Sequence, residues 1–345
     1  MSRHSVGASG PARLARGALL SLRSLSSSSW ARPWRAAEPA GRAGPRIAVI
    51  GNCQAAGIAA SVGVLAPAAR VTLMPVASLR RRHASVEALL RALAAFDHVY
   101  AQPIPPGFLP PGDPAAFAAR AAAYPTVVFP AFHPDMVYVG GGDGAGLAAG
   151  RLLPSPLGNF YHSAIVLFAY LQGLDEARTV ALFREEVFSR LGYLGGWEAA
   201  AQDFLRNAEA AGLGLEREFL RWSRRGSFMH VLNHPKLPVL GDIARRLLAR
   251  GGIAPAEVEV GDYLADDLAR DVIWPVYPPL AEHYGVPGSY LFKGRARPGE
   301  VPVLHDLPAF VTACFAAYRA RPRAALACQR VDLWRGQAEV VALFS

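Results

Sequence analysis

The stretch Arg46-Ile47-Ala48-Val49-Ile50-Gly51-Asn52-Cys53-Gln54 decides how this chain is read. A short, largely β-branched run ends in a glycine, and an amide, a thiol and a second amide follow it. Ala55 to Leu65 then reads as a small-residue helix, so the thiol falls on a strand-to-helix turn. Such a turn holds a side chain clear of the sheet and aims the first N–H groups of the helix at whatever that side chain meets. The helix N-terminus also favours thiolate, the nucleophilic form. The competing reading is a buried, inert cysteine that packs as a small hydrophobe.

Outward from this turn, strands and helices alternate. Val71 to Val76 reads as a second strand, Ser85 to Phe96 as a helix with Val86, Leu89, Leu90 and Leu93 on one side, and His98 to Ala101 as a third strand. A helix over Ala115 to Ala123 and a fourth strand over Thr126 to Phe129 follow. This order predicts an α/β fold with a Rossmann-like parallel sheet in the N-terminal half. Ligands in such sheets bind beyond the carboxyl ends of the strands, where Cys53 is placed. Beyond a Gly/Pro-rich loop over residues 130–160, the chain reads as helical additions: Tyr161 to Leu171, Asp175 to Leu191 and Trp197 to Trp222. Ser227 to Leu232 is strand-like, and a helix from Pro238 to Arg250 carries its proline in the first turn, where the missing N–H does no harm. Gly144, Gly146 and Gly150 imitate a dinucleotide fingerprint, but no good helix follows before Pro154, so a lid or surface loop is expected there.

A cysteine nucleophile needs a base, usually histidine. Two histidines share a context: Thr126 to Phe132 runs into His133-Pro134-Asp135, and Ser227 to Leu232 into Asn233-His234-Pro235. The following proline keeps each histidine in an extended backbone, so either could stand on the rim with Cys53. Asp135 or Asn233 could orient an imidazole. His162 opens the predicted helix on which Ser163 and Tyr170, seven apart, face the same way. His230 lies inside its strand and reads as structural. Acyl transfer also needs donors around an oxyanion, which the Asn52 amide and the N–H groups of Cys53 and Gln54 could supply. Arg80, Arg81, Arg82 and Lys236 are cations that could stand near the strand ends.

Composition excludes several classes. With 52% hydrophobic and 18% charged residues, the 345-residue chain is globular. The net charge of +9 suggests nucleic acid until it is located: eight arginines against Glu38 alone put seven of those charges before residue 47. That segment, residues 1–45, reads as a disordered Arg/Ser-rich tail, and residues 46–345 as a single α/β domain. The tail mimics a mitochondrial transit peptide, and a start called too early or a solvated extension explains it equally well. Cys53, Cys314 and Cys328 form no disulfide framework or zinc ribbon, which fits a reducing compartment. No transmembrane segment is expected, and a cytoplasmic location is.

Four stretches in order resemble the WcbI family of polysaccharide biosynthesis proteins: Ile50 to Gln54; Phe129 to Asp135; Ser155 to Ser163 with Tyr170 and Gly173-Leu174; and Phe228 through Asn233-His234-Pro235-Lys236. The resemblance covers roughly residues 46–250. It implies a protein that binds coenzyme A or acetyl-CoA and O-acetylates a capsular or other surface sugar. It also implies Cys53 as the reactive thiol with His234 as its partner, His133 remaining the alternative base. Gly51, Asn52, Gln54, Ser163, Tyr170, Asn233, Lys236 and Arg80 are the residues expected to face the coenzyme. Two other functions stay open: a cysteine-nucleophile esterase or deacylase, and a non-catalytic CoA- or glycan-binding module.

Overall fold

The computed structural model describes residues 44–105, 107–140, 152–296 and 299–345. All but the last two residues of the expected tail lie outside the described residues, as do Gly144, Gly146 and Gly150.

Strand β1 (Arg46–Gly51) is the hub of the sheet. Every residue after Arg46 is buried. Side chains alternate across a strand, so Ile47 and Val49 join one apolar cluster while Ala48 and Ile50 join another on the opposite face. A strand buried on both faces belongs inside a parallel sheet. β1 accordingly pairs in parallel with β2 (Arg70–Pro75) on one side and β3 (His98–Ala101) on the other. β4 (Ala122–Ala123) extends the sheet, giving the order β2-β1-β3-β4. Fourteen α-helices among the described residues complete the α/β architecture expected from the sequence.

The chain leaves β1 for β2 and then returns across β1 to β3, so the carboxyl ends of β1 and β3 form the topological switch point. The helix Gln54–Leu65, which starts there, packs on the helix Leu237–Arg250. Their contact is close at Gly57, where a Cβ would come within 2.4 Å of Leu240 Cδ1. The helix that follows Cys53 therefore lies against the helix that follows His234. The larger apolar cluster runs from Ile47 to Phe344 and draws both halves of the chain into one core.

Four sequence expectations are corrected. The fourth strand is Ala122–Ala123, not Thr126 to Phe129, and the preceding helix is Pro114–Arg120. The Gln54 side chain explains the shift, because it takes both backbone hydrogen bonds of Val127 that a neighbouring strand would otherwise use. Tyr161 to Leu171 is not helical throughout. Tyr161–Ser163 forms β6, antiparallel to β5 (Met136–Tyr138), and the helix is Ala164–Gln172, with Ser163 Oγ accepting from Val166 N–H at 3.0 Å as its N-cap. The long helices expected over 175–191 and 197–222 are each split in two: Glu176–Val180 and Glu185–Arg190, then Trp197–Ala210 and Glu216–Arg224. Gly212, at φ +72°, lies in the break of the second pair. Last, β7 is only Met229–Val231 and pairs antiparallel with β8 (His234–Pro235), so Asn233-His234 sits on a tight reversal beside the sheet, not at the end of a parallel strand. No helix among the described residues is long and apolar enough to cross a membrane.

Candidate active site

The turn after β1 is built from amides. Gln102, directly after β3, accepts the Asn52 N–H on Oε1 at 2.8 Å. Asn52 Oδ1 in turn accepts the Gln54 N–H at 2.9 Å, satisfying an orphan donor of the first helical turn. The Tyr124 hydroxyl donates to Ile50 O at 3.0 Å. Only glycine fits before this turn, since a Cβ on Gly51 would lie 2.4 Å from Gln102 Oε1 and 2.6 Å from the Tyr124 oxygen. A crevice lined by Gly51, Asn52, Val76, Gln102, Pro103 and Thr126 opens at this point, the switch point of the sheet.

Gln54 is 1% exposed and uses both ends of its amide inside the protein. Nε2 donates to Val127 O at 2.9 Å and to Asn233 O at 2.8 Å, while Oε1 accepts from Val127 N–H at 3.0 Å and from Gln102 Nε2 at 3.2 Å. One side chain thus ties the turn to β3, to the segment after β4 and to the residue before His234. The Tyr161 hydroxyl adds a 2.7 Å bond to Asn233 Oδ1. His234 is positioned from both sides of its neighbour.

Cys53 is partly exposed as a residue, yet its thiol is so surrounded that burial pushes it up to about 12, with the Asp271 charge adding to the rise. The N–H groups of Cys53 and Gln54 act in the opposite sense, as a helix N-terminus should, but they are outweighed. The thiol is neutral at neutral pH, contrary to the sequence expectation of a site that favours thiolate. His234 is 5% exposed, and its Nδ1 is buried with no hydrogen-bond partner. Burial holds this imidazole below its ordinary range, and Asp271, the same carboxylate that acts on Cys53, pulls it back up. The Tyr161 ring lies 6.4 Å from the His234 ring, and its hydroxyl is within electrostatic reach of both Cys53 and Asp271. Tyr161 and His234 are therefore neighbours, and Gln54 joins the Cys53 turn to the residue before His234.

His133 is held by a different set of contacts. It caps a 3-10 turn over Pro130–Phe132, and its Nε2–H donates to Trp274 O at 2.9 Å. Burial drives the ring down to about 3, and nearby Lys236 acts in the same sense. Asp135 does not orient it. That carboxylate is fully buried and accepts from Ile165 N–H at 3.0 Å, Tyr193 Oη at 3.0 Å and Tyr277 Oη at 2.9 Å. His230 pairs with Asp266 at 2.8 Å, and Asp266 also takes the Leu237 N–H at 2.9 Å. Lys236, at the start of the helix Leu237–Arg250, is held below its ordinary range by burial, and Asp266 partly offsets this.

The remaining expected residues are dispersed. Ser163 is spent as a helix cap, so it does not share a face with Tyr170. Tyr170 lines a separate open groove with Leu174, Glu176, Phe315 and Arg319. Arg80, on the short helix after β2, donates to Gly107 O at 3.0 Å. Sequence reasoning missed Gln102, Tyr124, Tyr161 and Asp271. Gln102 directly follows a strand end, a position that could have flagged it. Asp271 sits in an irregular segment and carries no local signal.

Two further rings make acid stability testable. His133, and His162 held between Leu153 O at 3.0 Å and Tyr318 Oη at 3.1 Å, are driven down by burial to about 3 and about 4. Because the folded state holds these rings neutral, protons bind the unfolded chain more readily. Stability from these two rings is intact above about pH 6.5 and falls as pH drops from there toward 4. At pH 5 each ring should cost about 2 kcal/mol, a loss to which the lowered His234 adds and which the raised carboxyl of Asp135 offsets in part. Urea unfolding at pH 7 and pH 5 measures this, and equal midpoints would mean that the rings protonate within the fold.

The family model described as polysaccharide biosynthesis enzyme WcbI matches residues 46–256, more than half of the chain, and this span holds the turn, Gln54, His133, Tyr161 and His234. No curated protein and no solved structure matches the chain. The chain belongs to the WcbI family of polysaccharide biosynthesis enzymes.

Proposed function

We propose that this protein is an O-acyltransferase that moves an acyl group, acetyl in the simplest case, from a coenzyme A thioester to a sugar hydroxyl during polysaccharide biosynthesis. One observation carries the reading: a neutral imidazole, His234, is tied through Asn233 to Gln54, the first residue of the helix at the switch point of the sheet, and a neutral thiol, Cys53, stands on the same turn as Gln54. Neutral imidazole is the form that can accept a proton from an acceptor hydroxyl. The N–H of Cys53 is the donor of this turn that would serve a developing oxyanion, since the Gln54 N–H is already held by Asn52 Oδ1. Lys236, two residues after His234, is the cation that would take a phosphate of the coenzyme, whose thioester supplies the activated acyl group.

In this reading transfer is direct. The hydroxyl proton passes to His234, the sugar oxygen bonds to the acyl carbon, the carbon–sulfur bond breaks, and the departing thiolate regains a proton from the imidazolium. Cys53 belongs to the cradle around the reacting carbonyl. As a covalent nucleophile it would have to give up a proton held at about 12 to an imidazole held below its ordinary range. Incubation with acetyl-CoA and a panel of nucleotide sugars, read by mass spectrometry, tests the function. Acetylated sugar supports it, free acetate means a hydrolase, and unchanged acetyl-CoA that stays bound means a binding module. Cys53→Ser should keep transfer within about tenfold, because a hydroxyl replaces the thiol without charge. Abolished turnover in a folded Cys53→Ser protein would instead establish a covalent relay.

A further inference from the structure

We infer that Tyr161 is the positioning residue of the base: its hydroxyl, acting through Asn233, and its ring, lying edge-on to the imidazole, together hold His234 in a single orientation. The consequence for turnover rests on the transferase reading; the hold on His234 does not.

The need for such a residue comes from the hairpin that carries the histidine. β8 is two residues long, β7 is three, and their register slips between Met229 and Val231. A ladder this short is marginal alone, so the direction in which the His234 side chain leaves the backbone must be set by bonds from outside the hairpin. Asn233, 5% exposed, collects them. Its carbonyl, part of the peptide that joins it to His234, accepts from Gln54 Nε2 at 2.8 Å. Its side-chain Oδ1 accepts from the Tyr161 hydroxyl at 2.7 Å. One bond fixes the peptide plane and the other the side chain, so residue 233 cannot rotate without breaking one of them.

Tyr161 is itself fixed. It opens β6, directly opposite Tyr138 of β5, with the two rings 5.4 Å apart. Its N–H donates to Asn159 Oδ1 at 2.9 Å, and the same oxygen takes the Ser155 hydroxyl at 2.9 Å. Tyr161 is buried, which keeps its hydroxyl well above the ordinary phenol range and therefore a donor. Its ring centroid lies 6.4 Å from that of His234 with the planes at 84°, an edge-to-face contact that narrows the swing of the imidazole. The β5–β6 hairpin thus supplies one rigid side chain that touches the base with its ring and the residue before the base with its hydroxyl. Substitution can separate these two contacts.

Tyr161→Phe keeps the ring and deletes the hydroxyl, while Asn233→Ala deletes the other end of the same bond. With acetyl-CoA and the nucleotide sugar that the wild type acetylates, kcat should fall about tenfold or more in each. KM for acetyl-CoA should stay within about twofold, because the reacting groups are misplaced while the coenzyme is still bound. The double variant should lose little more than the worse single one, since both act through one bond. Labelled-histidine NMR reads the ring without turnover. The His234 signal should shift or broaden in Tyr161→Phe while that of His133 stays, and Tyr161→Leu, which also removes the ring, should move it further. Should Tyr161→Phe fail to fold, Asn233→Ala and its His234 signal carry the test. An unmoved His234 signal in a folded variant, or losses in kcat that add in the double variant, overturn the proposal. A moved His234 signal in a protein whose wild type transfers no acyl group upholds the hold on the ring and refutes the transferase reading instead.

Discussion

Replacing His234 with alanine should lower kcat for acyl transfer by about 100- to 10,000-fold, the usual contribution of a positioned general base. The argument separates two buried histidines that look alike in sequence. His133 has its Nε2–H committed to Trp274 O and an imidazole driven down to about 3, so it holds a proton only under strongly acid conditions. Both rings leave Nδ1 without a partner, but burial of His234 is opposed by the charge of a carboxylate, Asp271, which supports the charge that proton uptake creates. His133→Ala should therefore keep kcat within about tenfold wherever the protein folds, while His234→Ala should not. KM for acetyl-CoA should change little in either variant, because neither ring is among the cations expected to hold the coenzyme. Added imidazole should return part of the lost rate to His234→Ala, as a small diffusible base fills the vacated space. Equal losses in the two variants, or a His234→Ala protein that turns over normally, would remove His234 as the base.

How much of this could be read from the sequence follows a physical line. Local patterns carried well. The alternation Ile47, Ala48, Val49, Ile50 places β1 between two apolar clusters, and the glycine that ends it marks a spot where no Cβ fits. The strand-turn-helix order over residues 46–101 and the start of the helix after Lys236 follow from the same short-range cues. What the sequence concealed was long-range. The thiol at residue 53 does feel its helix N-terminus, but burial and a carboxylate 218 positions downstream decide its protonation. The strand expected at Thr126 to Phe129 fails because a glutamine side chain from residue 54 occupies the backbone of Val127, and no propensity of residues 126–129 encodes that. His133 and His234 share a motif and differ only in what other segments bring to them.

Gln54 is the clearest case of a residue whose importance lies in that long-range layer, and Gln54→Ala should destabilise the fold by about 4–6 kcal/mol. The substitution deletes four hydrogen bonds and leaves Val127 N–H, Val127 O and Asn233 O buried without the partner that satisfied them. Each unsatisfied buried backbone group costs about 1–3 kcal/mol, so three of them, and not the volume of the lost side chain, set the size of the effect. Gln54→Glu sharpens the test. A carboxylate still accepts from Val127 N–H and Gln102 Nε2, but it has no donor for Val127 O or Asn233 O and faces both carbonyls with negative charge. Glutamate should therefore be no better than alanine at neutral pH. It should recover as pH falls, when a protonated carboxyl can donate to one of the two carbonyls. Denaturant unfolding of the three proteins at pH 7 and pH 5 reads this directly. A Gln54→Glu protein as stable as wild type at pH 7 would mean that the amide donates to neither carbonyl, and that the link from the Cys53 turn to Asn233, on which the placement of His234 depends, is made by other atoms.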